Sequence, residues 1–275
     1  MIRFWKYQAI GNDFPLFHAS DVDGIDLGEL AKSAADRNFG IGGDGILVMD
    51  AVDRGGARLR MFNPDGTEDF CGNGLRIAAR HAFDQGWVDR QFTLMHGGKE
   101  IAALVRQDGV ILTTIGVADY TPNKVPVRKE SELFDGSIAV LGGTEFRGSA
   151  LTTGSTHTVI PVQELPSDAE IAEWGPELEH LPMFPQRTSV IFARESGPMS
   201  LQIRIWERGV GETFGCGTGS SAAAADYLRR LGAGGTVLVR NPGGDIQVQM
   251  DRWNAPITVY GEALLVYHGD FQYPV

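Results

Sequence analysis

The stretch DFCGNGLRIAAR, Asp69 to Arg80, sets a cysteine directly before a glycine-rich turn and a helical run. Further along, FGCGTGSSAAAA, Phe214 to Ala225, does the same with the other of the chain's two cysteines. After the first, Leu75, Ala78, Ala79, Ala82 and Phe83 form an i, i+3, i+4, i+7, i+8 stripe. That spacing predicts a helix over 73–85, stopped by Gly86. After the second, Ala224, Ala225, Leu228 and Leu231 mark the buried edge of a helix over 220–231, with Gly232 as its stop. Two helices, each preceded by Cys-Gly-x-Gly, point to a long internal repeat rather than a short-period solenoid.

Most of the remaining chain reads as strand. MIRFWKYQAI, GILVMDAV, ARLRMFN, QFTLMHGG, KEIAALVR and GVILTTIG fall in the first half. SIAVL, RGSALTTG, THTVIPV, RTSVIFAR, MSLQIRIWE, GTVLVRN, DIQVQMD and ITVYGEALLVYHG follow in the second. In SLQIRIWE, Leu201, Ile203 and Ile205 alternate with Gln202 and Arg204, the period of a half-buried strand. Two further helical segments are predicted, 27–37 with Asp26 as N-cap and one beginning over 168–173. The chain thus reads as two similar α+β domains. Residues 1–117 carry Cys71 and residues 118–262 carry Cys216, and the terminal segment 263–275 is expected to return to the first domain.

Composition narrows the function classes. The 275 residues are 43% hydrophobic and 21% charged, with a formal net charge of −11. Nucleic-acid binding needs a basic footprint to displace counterions, so no nucleic-acid partner is expected. The start, MIRFWKYQAIGNDF, lacks a signal-peptide h-region, and no apolar run is long enough to span a bilayer. A cytoplasmic protein without a membrane partner is expected. In that compartment two cysteines do not read as a permanent disulfide. Neither lies in a CxxC pair and no Cys/His cluster has zinc spacing, so no metal site is expected. GIGGDG, Gly40 to Gly45, fits G-x-G-x-x-G formally. A helix-like segment precedes it and the strand ILVMD follows, the reverse of a dinucleotide site, so it reads as a structural turn offering Asp44 or Gly45 to a cleft. His18, His81, His96, His180 and His268 show no partner pattern and read as surface or core histidines.

A cysteine at a helix start has defined chemistry. The unpaired N–H groups and the positive end of the helix macrodipole stabilise thiolate over thiol. The same N–H groups hold a carboxylate where glycine lets the backbone approach, as Gly72 and Gly74, and Gly217 and Gly219, would allow. Two such units flanking one α-carbon could remove a proton from one face and deliver one to the other. The outcome is inversion at carbon.

The motifs GND at Asn12 and Asp13, GIGGDG, NPDG…CGNGLR over 63–76, and ERGVGETFGCGTG over 207–219 resemble those of the diaminopimelate epimerase family, in the same order along nearly the whole chain. The resemblance implies two pseudo-symmetric domains, each a barrel-like, mainly antiparallel sheet around a central helix. It implies a cofactor-independent isomerase acting on a small amino acid, with a homodimer as the assembly. Cys71 and Cys216 match the two catalytic bases, and His157 and Glu207 match residues that assist them. Asn12 and Asn63 match substrate-contacting asparagines. Gly72, Asn73, Gly217 and Thr218 match the amides that hold the reacting carboxylate, and Arg208 matches the arginine on the distal carboxylate.

Three departures stand out. Where the family usually reads GNPH, this chain reads GSTH, which puts Ser155 in place of an asparagine. Ser189 replaces a second asparagine in RTSVIF, and the 63–71 stretch is one residue shorter than usual. Both replaced asparagines help hold the substrate's distal end, so Ser155 and Ser189 are the candidate specificity positions. A serine lacks the amide's NH₂ donors. A racemase for another amino acid, such as histidine or O-ureidoserine, is therefore the alternative on the same scaffold. Outside enzymes of this class, the alternatives are a thiol-redox protein using the Cys71–Cys216 pair and a non-catalytic amino-acid-binding module.

Overall fold

Strands that are apolar at nearly every position must be covered on both faces, and Ile46-Leu47-Val48-Met49 is such a run, all four side chains buried. The structure, a computed structural model describing residues 1–52 and 55–273, shows what does the covering. In chain order the first half holds β1 (Ile2–Ala9), β2 (Asn12–His18), α1 (Leu27–Ala34), β3 (Ile46–Val52), β4 (Gly56–Phe62), α2 (Gly72–Asp84), β5 (Gln91–His96), β6 (Lys99–Val105) and β7 (Ile111–Thr114). The second holds β8 (Gly136–Leu141), β9 (Thr144–Thr152), β10 (Thr156–Pro161), α3 (Asp168–Glu179), β11 (Ser189–Gly197), β12 (Ser200–Glu207), β13 (Gly211–Thr213), α4 (Gly217–Leu231), β14 (Gly235–Asn241) and β15 (Gly244–Met250). β16 (Thr258–Gly261) and β17 (Leu264–Phe271) close the chain. It divides into two compact units, Met1–Thr114 with the segment from Tyr260 onward, and Ile115–Val259. The division at Ile115 lies just ahead of the boundary read at Val117.

In the first unit the sheet order is β17-β1-β2-β3-β4-β5-β6-β7. The β2–β3 and β4–β5 pairs are parallel and the others antiparallel. β17 pairs with β1 from Ile2↔Phe271 to Gln8↔Leu264, which brings the C-terminal segment back to the first strand. The sheet curls around α2, which packs against β1, β3, β4, β5, β6 and β7. Leu75, Ala78, Ala79 and Ala82 are fully buried there. α1 lies against the other face, where Leu30, Ala31 and Ala34 meet Ile2, Phe4, Phe17, Ile46, Val48 and Phe62.

The second unit repeats this plan. Its sheet order is β8-β9-β10-β11-β12-β14-β15, with β10–β11 and β12–β14 parallel. α4 packs against β9, β10, β11, β12, β14 and β15. Ala222 to Ala225 are buried on it, small enough for the helix to sit close inside the sheet. α3 covers the opposite face, with Ile171 and Leu178 against Phe146, Ile160, Val190 and Phe192. Both units are α+β, with a mainly antiparallel sheet wrapped around a central helix.

Local signals were read closely at some ends and missed at others. Asp26 caps α1 by accepting from the amides of Gly28 and Glu29. That helix stops at Ala34, short of Arg37, because the chain turns back and the amides of Ile41 and Gly42 bond the Ala34 carbonyl. α4 starts at Gly217 rather than Ser220, because Cys216 itself is the N-cap. α3 runs on to Glu179 behind a capping box of Ser167 and Glu170. ITVYGEALLVYHG is two strands, β16 and β17. β2 carries Pro15, a residue that argues against an interior strand. Pro15 pairs opposite Lys6 of β1, while pairing with β3 begins only at Leu16, so its missing N–H falls where no ladder bond is required.

Candidate active site

In the first unit, Cys71 is the N-cap of α2, extended at φ −127°, ψ 111°, and its Sγ accepts from Gly74 N–H at 3.1 Å. Sulfur is a weaker acceptor than the usual capping oxygens, and the thiolate accepts far better than the thiol. The cap therefore favours ionisation, as does the helix N-terminus behind it. A Cβ at Gly74 would come within 3.2 Å of Cys71 Sγ and 3.1 Å of Leu47, so the third helical position is shaped to receive the sulfur. The thiol is buried. The first-turn amides belong to Gly72 and Asn73, the predicted carboxylate seat.

Around this cap the structure assembles polar groups from distant segments. Asn73, almost fully buried, donates from Nδ2 to Asn12 Oδ1 at 3.1 Å and accepts from Arg76 Nη2 at 2.7 Å. Asn12 donates in turn to Asp44 Oδ2 at 2.5 Å. Asp44 also takes Asp13 N–H and Arg37 Nη2. Asp13 pairs with Lys6 at 2.6 Å and Arg37 at 2.8 Å, and these cations hold its carboxyl below the usual range despite burial. Asn12 thus braces Asn73, and the GIGGDG turn contributes Asp44 to that brace. Asn63 lies in its own turn, where its side-chain amide donates to Thr67 Oγ1 at 3.1 Å.

His96 had no sequence signal and stands directly behind the cap. Its Nε2 accepts the backbone N–H of Cys71 at 3.0 Å and its Nδ1 bonds the Leu59 carbonyl at 3.0 Å. A carbonyl only accepts and a backbone N–H only donates, so the neutral imidazole with its proton on Nδ1 satisfies both. Burial lowers the His96 pKa and keeps it in that form. His18 and His81, also read as unpartnered, meet at 2.8 Å between their Nε2 atoms, beside Trp5, Tyr7 and Trp87.

The second unit has its own cap. Cys216 is the N-cap of α4 at φ −132°, ψ 121°, and its buried Sγ accepts from Gly219 N–H at 3.4 Å. A Cβ at Gly219 would lie 3.3 Å from Cys216 Cβ and 3.0 Å from Ile205. Thr218 stands where Asn73 stands in the first unit, and its Oγ1 lies 3.3 Å from Cys216 Sγ. Ser155 Oγ is 3.1 Å from Thr218 Oγ1 and 3.0 Å from His157 Nε2. His157 is buried in β10; desolvation first, then the charge of Arg208, depress its pKa to about 3. It is therefore neutral at pH 7. Parallel pairing sets His157 opposite Ser189 of β11. Ser189 Oγ accepts the backbone N–H of Arg208 at 3.1 Å, which fixes where β12 ends. Glu207 accepts from Thr213 Oγ1 at 2.6 Å, and an Arg208 Nη1 contact of 3.4 Å reaches the Gln186 carbonyl.

The structure therefore joins Asn12 with Asn73 in one unit, and Ser155, His157, Thr218 and Cys216 in the other. Ser189 and Arg208 meet through the backbone of the arginine. Among the described residues, no group of three or more His, Cys, Asp or Glu side chains is placed to hold a metal, and no helix is long and apolar enough to cross a membrane.

Comparison with known proteins agrees with this duplicated plan. The family model described as diaminopimelate epimerase matches residues 4–121 and 149–266, one stretch for each cysteine. The diaminopimelate epimerase of Azotobacter vinelandii is 34% identical over 273 residues, covering 98% of both chains. That of Acetivibrio thermocellus is 30% identical over 275 residues, again covering 98% of both. Among solved structures, a probable proline racemase from Agrobacterium radiobacter superposes with a TM-score of 0.72 at 13% identity, covering 100% of this chain and 94% of the other. A Bacillus anthracis protein of the PhzF phenazine-biosynthesis family gives 0.67 at 16% identity and 98% coverage of both. At such identities the structural likeness speaks for the fold alone, whereas the full-length matches at 30% and above carry the family: the chain belongs to the diaminopimelate epimerase family.

Proposed function

We propose that this protein is an isomerase that epimerises diaminopimelate between its LL and meso forms without a cofactor, for lysine and peptidoglycan biosynthesis in the cytoplasm. Cys71 and Cys216 act as the two bases. One thiolate removes the α-proton while the other thiol protonates the opposite face. The single observation that carries this reading is the repeated cap, a buried cysteine accepting from the amide of the glycine at the third helical position at the start of both central helices. Each cap couples a stabilised sulfur to first-turn amides suited to the carboxylate, those of Gly72 and Asn73 and of Gly217 and Thr218. Those amides also stabilise the charge that builds on the carboxylate as the α-proton leaves. His157 and Glu207 assist the thiols, Asn12 and Asn63 position the substrate, and Arg208 takes the distal carboxylate in bidentate fashion. A redox role would leave the paired anion seats without a purpose.

A homodimer is part of this reading. Leu264, Leu265, Val266 and Tyr267 of β17 form an exposed apolar run, each about half accessible, and such a run marks an interaction surface. Sedimentation velocity of a Leu265→Glu variant is expected to shift a dimer to a monomer.

The test of function is α-proton exchange in D₂O under reducing conditions, followed by NMR, with LL-diaminopimelate beside single-headed amino acids. Exchange and epimerisation of diaminopimelate alone is the expected result. Exchange confined to a single-headed amino acid would assign the protein to another racemase reaction, and binding without exchange would make it a binding module.

A further inference from the structure

Ser155 stands where the family pattern carries an asparagine, yet its hydroxyl points into the protein. It bridges His157 Nε2 at 3.0 Å and Thr218 Oγ1 at 3.1 Å, and Thr218 Oγ1 reaches Cys216 Sγ at 3.3 Å. Four side chains from β10, the turn before it and the start of α4 thus make one continuous hydrogen-bonded line ending on the sulfur. Thr218 is further held by its neighbourhood: Thr153 Oγ1 donates to the Thr218 carbonyl at 2.8 Å.

We propose that Ser155 and Thr218 are positioning residues that relay the polarity of the neutral His157 imidazole to Cys216 and stabilise its thiolate. This rests on the reading of Cys216 as one of the two bases.

The direction of the line follows from counting donors. Each hydroxyl has one proton to give. If His157 carries its proton on Nε2, it donates to Ser155 Oγ, Ser155 donates to Thr218 Oγ1, and Thr218 donates to the sulfur. Every group in the line is then used, and the sulfur accepts a hydroxyl hydrogen bond besides the Gly219 amide. Nδ1 of His157 is buried with no hydrogen-bond partner among the described residues. With the proton on Nε2 it keeps only a lone pair there, whereas the other tautomer would bury an unmatched N–H donor and turn the hydroxyls away from the sulfur. No proton leaves the line, so His157 need not become an imidazolium, a state that burial and the neighbouring Arg208 oppose. Glu207, at the end of β12, is engaged by Thr213.

The relay changes what the Ser155 position means. Its hydroxyl serves the thiol, and its replacement should alter sulfur reactivity rather than substrate grip. The test is alkylation of the reduced, substrate-free protein by iodoacetamide at pH 7. Cys71 and Cys216 fall in different tryptic peptides and are followed separately by mass spectrometry. Ser155→Ala and Thr218→Val are each expected to slow Cys216 alkylation about tenfold, the scale of one hydrogen bond to a charged group. Cys71 is expected to change by less than about twofold, and Thr218→Ser to restore the rate. In turnover, Ser155→Ala should lower kcat with KM nearly unchanged. An unchanged Cys216 rate in Ser155→Ala, or equal slowing of both cysteines, would overturn the relay, as would a rise in KM alone. If Thr218→Val does not fold, Ser155→Ala with Thr218→Ser still decides it. The alkylation does not depend on turnover, so it remains readable even if Cys216→Ala retained activity and the two-base reading failed.

Discussion

The backbone N–H of Cys71 donates to Nε2 of His96 at 3.0 Å, so the first thiol is anchored by an imidazole from the end of β5. His96 in turn is anchored to Leu59 of β4 and stacked on Phe70. His96→Phe leaves a buried N–H unmatched, which costs about 1–3 kcal/mol. It is expected to lower kcat at least tenfold, while His96→Gln, which can both accept and donate, retains most of it. Steady-state kinetics of the two variants side by side check this.

Removing either sulfur removes one of the two bases. Cys71→Ala and Cys216→Ala are each expected to abolish inversion while the fold persists at a cost of about 0.5–2 kcal/mol for the lost cap. Circular dichroism and denaturant titration report the fold, and chiral chromatography of the product reports inversion. Full turnover by either variant would exclude the two-base mechanism. Cys→Ser variants are expected to keep exchange on one face only, which assigns each cysteine to its enantiomer.

Gly74 and Gly219 sit beneath the two sulfurs. A methyl at Gly74 meets Sγ of Cys71 at 3.2 Å, and one at Gly219 meets Ile205 at 3.0 Å. Relief requires the cap or the sheet to move by a few tenths of an ångström. Gly74→Ala and Gly219→Ala are expected to lose activity by more than tenfold and stability by about 1–3 kcal/mol. An alanine variant with wild-type kinetics would show that the sulfur position is not set by this contact.

Acid is expected to destabilise the fold through its buried histidines. Desolvation depresses the pKa of His81 and His157 to about 3 from the ordinary 6.5. Between these values the unfolded chain binds more protons, so stability rises with pH there. The contribution is complete above about pH 6.5 and is lost as pH falls towards 3, on the order of a few kcal/mol for each histidine. Urea midpoints measured from pH 7 down to 4 should fall steadily. His81→Gln is expected to be less stable at pH 7 and to show a flatter fall, and an unaltered slope would assign the acid sensitivity to other groups.

Much of the fold was legible along the chain because it is written locally. Leu75, Ala78, Ala79 and Ala82 declare the buried face of α2 by spacing alone, and Ile203 and Ile205 declare one face of β12 in the same way. The two Cys-Gly-x-Gly turns placed both thiols just ahead of their helices. Resemblance to the family added His157, Glu207, Arg208 and the asparagines, which no local pattern could assign. What no segment could declare was the company these residues keep. His96 reaches Cys71 only because β5 lies parallel to β4. Asn12 reaches Asn73 from another strand. Ser155 has its hydroxyl on Thr218 because β10 runs beside the start of α4, and Ser189 is taken up by the backbone of Arg208. Helix and strand periodicities arise from neighbours a few residues apart, so the sequence by itself determined the elements and the two capped thiols. Parallel pairing joins strands that are distant in sequence, and its register is set by side chains from both. What stands behind the two caps, His96 on the N–H of Cys71 and the Ser155–His157 pair on Thr218, was therefore decided only when the sheets closed around their helices.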